Sequence, residues 1–164
     1  MIMYRERIHQ SAATAAITQN QLADLSIYGS LFIVALVAAT IFPLQSEALL
    51  VGLLLHGGHP VWLLVAVASV GNIAGSTINW VLGRSLEQFR DRRWFPIKPA
   101  ALERAERWYR RYGRWTLLLS WTPVIGDPLT MIAGVLREPL ASFLLIVAIA
   151  KTARYVVVAA LVLI

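Results

Sequence analysis

The chain has 164 residues, 58% of them hydrophobic, and a mean hydropathy of +0.64. Soluble domains are nearer about 45–50% apolar, so this is the composition of a membrane protein. Ten of the 15 Lys and Arg behind the net charge of +6 fall between Arg84 and Arg114, a distribution that argues against nucleic acid as a partner, and the absence of cysteine excludes disulfides, a thiol nucleophile and thiolate metal sites.

Residues 1–26 are mostly polar. Arg5 and Arg7 resemble the basic start of a signal peptide, but the apolar stretch begins only near Ile27, so no cleavage is expected. Residues 8–25 are compatible with a weakly amphipathic surface helix or with no fixed structure. Four apolar blocks follow. Residues 27–55 hold one charge, Glu47, and one proline, Pro43. Residues 61–82 hold no charge. Residues 115–136 are interrupted by Pro123, Gly126, Asp127 and Pro128, and residues 139–164 carry Lys151 and Arg154. A spanning helix needs about 20 apolar residues, which suits the second and fourth blocks. The first is too long for one straight span, and the third contains two prolines and two glycines. Both read as broken or re-entrant helices, which membranes tolerate only where the backbone is buried in protein or lines a wet cavity. The expected fold is an all-α membrane protein with two such helical hairpins plus spanning helices. The order of the blocks reads as an internal repeat of roughly 60–80 residues. The domain reading is a polar segment, 1–26, and a single membrane domain, 27–164.

Between the second and third blocks lies a basic linker, 84–114. The positive-inside rule places it in the cytoplasm. Pro96 and Pro99 punctuate it, and a helix pattern follows in which Leu102, Ala105, Trp108, Tyr109 and Tyr112 share one face. Glu103 with Arg107, and Glu106 with Arg110, are i,i+4 pairs in the favourable order. Gly113 suits the helix stop. Two readings stand for this helix: a solvated connector, and a helix lying on an anionic leaflet.

Glu47 and Asp127 are the strongest candidates for function. Each stands four residues after a proline inside an apolar block, Pro43-Leu-Gln-Ser-Glu47 and Pro123-Val-Ile-Gly-Asp127. Charges at membrane depth are costly and mark ion or substrate pathways. The rival reading places Glu47 in a first helical turn at an interface, and Asp127 in a surface turn with Gly126 and Pro128. The matched offset favours a paired transport or proton site. Lys151 and Arg154, three apart on one helical face, are the expected charge partners, unless both snorkel to the interface. Asp127 is expected to pair with one of them. Gly71, Gly75, Asn79 and Gly83 recur every four residues and form a helix-packing stripe. His56 and His59 have His-x-x-His spacing but no third ligand is evident, so neither a metal nor a cofactor is expected.

Taken together, Phe42-Pro43-x3-Glu47, Gly71-Asn72-x2-Gly75-x7-Gly83-Arg84 and Pro123-x9-Ala133-Gly134 resemble the DedA family, also described as SNARE-associated Golgi or VTT-domain proteins. The resemblance covers roughly residues 30–160, and is greatest to the bacterial YqaA branch. It implies a multi-pass protein of the bacterial inner membrane with two re-entrant hairpins facing each other, movement of lipids between leaflets, and proton dependence. Glu47 matches the family's first-hairpin acid. Other branches carry an Arg-x2-Pro-x2-Arg arrangement in the second hairpin, where this chain has Ser120 and Gly126. The expected function is therefore that of a transporter or a flippase- or scramblase-like protein, with membrane lipids and protons or cations as partners. The alternative is a non-transporting scaffold or assembly factor with buried ion pairs. No nucleophile and base stand in a catalytic order, so no enzyme is expected.

Overall fold

The computed structural model describes residues 2–39, 45–86, 99–122 and 125–164, with backbone alone for 2–17, 86, 99, 101, 102, 105 and 110. The breaks expected at Pro43 and Pro123, and the linker from 87 to 98, lie outside the described residues. Those described are all-helical, with no strand: α1 (Ile2–Ala38), α2 (Gln45–His56), α3 (Val61–Leu86), α4 (Pro99–Tyr112), a 3-10 segment (Gly113–Trp121), α5 (Gly126–Val135) and α6 (Leu140–Leu163). Residues 1–30 and 31–164 form two compact units.

The first unit is a stretch of α1. The helix runs without a break through 8–25, where Ala12, Ala13, Ala15 and Ala16 supply strong helix propensity. Because it continues into the apolar block, Thr18–Ala38 becomes a third helix long and apolar enough to cross a membrane, beside Val61–Ser85 and Leu140–Leu163. Residues 27–55 thus hold the end of one long helix and a separate short one.

Local chemistry explains the helix ends. α2 stops where Gly57 takes a positive φ of 72° and its N–H donates back to Leu53. Pro60 then opens α3, accepting from the N–H groups of Leu63 and Leu64. At the end of α5, Glu138 N–H donates to Ala133 and Arg137 N–H to Gly134. This is a Schellman closure with Arg137, at φ 59°, in the position glycine usually takes. α4 ends at Gly113, also at positive φ.

In the second unit α3 is the central helix. Trp80 packs with Leu117, Leu129, Ala133, Phe143 and Val147, drawn from the 3-10 segment, α5 and α6. The stripe along α3 explains how neighbours come so close. A Cβ on Gly71 would lie 2.5 Å from the Phe32 carbonyl oxygen, and one on Gly75 2.3 Å from that of Leu36, both in α1. A Cβ on Gly83 would lie 2.0 Å from the Met131 carbonyl oxygen of α5. Gly134 returns the contact against Trp80. Asn79 joins both neighbours: its Nδ2 donates to the Ala39 carbonyl at 2.8 Å and to Thr130 Oγ1 at 3.5 Å.

Backbone carbonyls cannot yield as side chains can. Gly83→Ala is therefore expected to destabilise the protein by about 1–3 kcal/mol or more. The readout is the melting temperature in detergent, with Gly29→Ala, where a Cβ meets nothing within 4 Å, as the control. Equal melting of the two variants would show that α3 and α5 do not touch at Gly83.

Candidate functional site

α2 has 12 residues and α5 has 10. At 1.5 Å per residue they are about 18 and 15 Å long, roughly half a bilayer's hydrocarbon core. Each is followed by a tight turn and a long helix. The long helices, α3 and α6, run antiparallel: Asn72 meets Lys151 and Tyr155, whereas Trp80 meets Phe143 and the Glu138 carbonyl. Lys151 is the twelfth of the 24 residues in α6. The N-termini of both short helices come to this middle stretch.

Glu47 and Asp127 each lie in the first turn of their helix. A carboxylate there is stabilised by the unpaired N–H groups and the positive end of the helix dipole. Each also meets a cation from α6. Asp127 Oδ1 accepts from Lys151 Nζ at 2.8 Å, and Lys151 is fully buried. Glu47 Oε1 lies 3.0 Å from Arg154 Nε, but out of line for a hydrogen bond, so this pair is held by charge alone. Arg154 Nη1 donates instead to the Trp121 carbonyl at 3.2 Å. Both cations are buried and neither snorkels.

A polar chain links the two helix starts. Lys151 Nζ donates to Asn72 Oδ1, Asn72 Nδ2 to Tyr155 Oη at 2.9 Å, and Tyr155 Oη to Ser46 Oγ at 2.8 Å. Lys151, Asn72, Tyr155 and Ser46 are all buried. Each of these four side chains is hydrogen-bonded within the series, which is what makes so polar a centre tolerable away from water. Asn79 and Thr130 extend it, Thr130 Oγ1 donating to the Asp127 carbonyl at 2.7 Å.

The structure thus brings together the four candidate charges as two acid–base pairs. It adds Ser46, Tyr155 and the Trp121 carbonyl, which the sequence pattern alone does not single out. Tyr155 lies four residues after Lys151, hence on its face of α6, and Ser46 precedes Glu47 directly, so position relative to the charges is the signal that would find both. His56 and His59 flank the α2–α3 turn, and among the described residues no group of three potential metal ligands occurs. The arrangement suits exchange of a proton, or of another charged group, against two internal ion pairs.

Three helices of spanning length, with two half-length helices whose acids meet buried cations, define an all-helical integral membrane protein. The VTT domain matches residues 42–163, and the chain belongs to this family, the DedA family. It is 42% identical over 137 residues to the inner membrane protein YqaA of Escherichia coli (strain K12), covering 83% of this chain and 90% of that one. An uncharacterized protein of Haemophilus influenzae is 34% identical over 133 residues, 77% of this chain and 81% of the relative. Undecaprenyl phosphate transporter A of Staphylococcus aureus is 28% identical over 136 residues, 76% of this chain and 67% of the transporter. No solved structure matches the chain at a significant level.

Proposed function

We propose that the chain moves a lipidic phosphate between the two sides of the bacterial inner membrane, driven by protons or cations at Glu47 and Asp127. The observation that carries this reading is the convergence of two half-length helices, each with a first-turn carboxylate, on Lys151 and Arg154 at the middle of α6. Half-helix N-termini meeting at membrane mid-depth are how many secondary transporters build their sites.

In this reading α2 and α5 are re-entrant halves of an internal repeat. The α2–α3 turn precedes the start of α3, while the α5–α6 turn lies beside Trp80, near its end. That placement supports an inverted arrangement of the two halves. The phosphate class is supported by the name of the Staphylococcus aureus relative. This chain meets the missing arginines in its own way. A Cβ on Gly126 would lie 2.4 Å from the Ser120 carbonyl oxygen, so no side chain fits there. Arg154 reaches the next carbonyl, that of Trp121, from α6, and so brings a guanidinium to the same end of the 3-10 segment.

The reading is tested by reconstituting the protein in liposomes with a labelled polyprenyl phosphate at two pH values. Protein-dependent, pH-dependent movement is expected. Movement no faster than in protein-free vesicles at either pH would leave the scaffold reading in its place.

The charge of the linker 84–114 supports a cytoplasmic position for it. Ser85 is exposed, and the chain has no native cysteine. Ser85→Cys is expected to resist an impermeant thiol reagent in intact cells and to react after lysis. Labelling of intact cells would reverse the orientation.

A further inference from the structure

α4, the 3-10 segment and α5 enclose an apolar groove of about 500 Å³, lined by Trp108, Leu119, Ile125, Pro128 and Ile132, with Arg104 at its edge. A smaller cavity of about 330 Å³ adjoins it across Trp108, between Arg107, Arg111 and Tyr112. Arg104, Arg107, Trp108 and Arg111 stand at i, i+3, i+4 and i+7, one stripe along α4. All four side chains are exposed, as are Leu119 and Ile125. An apolar slot beside a row of guanidinium groups is complementary to an amphiphile with an anionic head.

The groove is separate from the paired acids. Pro128, Leu129 and Ile132, in line with Ile125 just before the helix, form one face of α5; Asp127, Thr130, Met131 and Gly134 form the other, toward α3 and α6. The two faces are offset by two residues, about 200° around the helix. Whatever fills the groove supports α5 from behind. A second copy of the chain suits it poorly, because a two-fold contact would set the arginine stripe against itself. The Arg107–Glu103 pair, exposed at 3.7 Å, does little to neutralise that stripe.

We infer that this groove holds one acyl chain of a resident anionic phospholipid, whose phosphate sits on Arg104, Arg107 and Arg111. The aromatic ring of Trp108 lies between the two parts, where an amphipathic side chain meets the junction of head group and chain. The lipid is a companion of α5 and does not depend on the transport reading, since neither Glu47 nor Asp127 touches the groove.

Bromine atoms on an acyl chain quench a nearby tryptophan. The protein is reconstituted in phosphatidylcholine vesicles containing an equal fraction of brominated phosphatidylglycerol or brominated phosphatidylcholine. The Trp108 signal is the difference between wild type and Trp108→Phe, and that of Trp62, at the start of α3, is obtained in the same way. An arginine near an anionic lipid surface is worth about fivefold in partitioning, so Trp108 is expected to show at least a fivefold preference for the anionic lipid. The preference should disappear when Arg104, Arg107 and Arg111 are together changed to Gln. These are exposed positions, so helix content and gel-filtration profile should not change. Equal quenching of Trp108 by the two lipids overturns the proposal. So does a preference that survives the triple change, or one equally large at exposed Trp62, which lines none of these cavities and would report general enrichment of anionic lipid around the protein and not a site.

Discussion

Glu47→Gln and Asp127→Asn are each expected to reduce the proposed transport in reconstituted vesicles to the protein-free level, while both variants still insert and purify as folded protein. The expectation follows from the placement of each acid in the first turn of a half-length helix, against a cation of α6. Both substitutions keep the shape of the side chain and remove only its charge and its proton. At exposed sites such changes are within about 0.5 kcal/mol in stability. The two variants differ in a second measurement. The Glu47–Arg154 contact is out of line for a hydrogen bond, and Arg154 keeps its bond to the Trp121 carbonyl when Glu47 is neutral. Glu47→Gln leaves the buried Arg154 charge without its carboxylate but with its Trp121 hydrogen bond, and is thus expected to melt below the wild type but above Asp127→Asn. Asp127→Asn strips the counter-charge from fully buried Lys151 and should melt lower. Wild-type transport by both variants would refute the paired site, whatever their stabilities.

Much of this arrangement is legible in the amino-acid sequence. Period and length identify α3 and α6, because a charge-free run of 22 residues at 61–82 has few alternatives in water or lipid. The glycine stripe identifies close approach, since four-residue spacing leaves one face of a helix without side chains. The boundary of the first span is harder. Hydropathy alone starts it near Ile27, but helix propagation is cooperative and carries α1 back through the polar segment, so that Thr18–Ala38 reaches spanning length. The site divides in the same manner. Acids and bases in apolar blocks announce themselves, and adjacency of the third and fourth blocks across a short turn makes the Asp127 pairing expected. The assignment of Glu47 to Arg154, and the course from Lys151 through Asn72 and Tyr155 to Ser46, depends on residues 79 to 109 positions apart. No local pattern encodes such distances; they follow from how α2, α3 and α6 pack.

The second large effect concerns Lys151. Its side chain has no exposure, and its partners are a carboxylate from α5 and an amide oxygen from α3. Breaking a buried ion pair from one side costs about 3–5 kcal/mol, chiefly because a charge is left without a partner; replacing both members with neutral groups costs far less. Lys151→Met is therefore expected to be the most damaging single change in the network, since it strands Asp127 and also deprives Asn72 of its donor. Asp127→Asn together with Lys151→Met should be more stable than the sum of the single changes allows, by about 0.5–3 kcal/mol, the range found for residues in contact. The companion cycle is Glu47→Gln with Arg154→Met. Its coupling should be smaller, because the 3.0 Å contact is not a hydrogen bond and Arg154 holds the Trp121 carbonyl independently. Thermal unfolding of the six variants in one detergent measures both couplings. If both cycles are additive, the charges are not paired in the folded protein. If the Glu47 cycle couples more strongly than the Asp127 cycle, the hydrogen-bonded centre lies with Arg154 and not with Lys151. The expected order, strong at Asp127 and weak at Glu47, also assigns the moving part. The looser pair opens at lower cost, so in the proposed transport reading Glu47 is the acid expected to exchange its partner, while Asp127 and Lys151 hold α5 against α6.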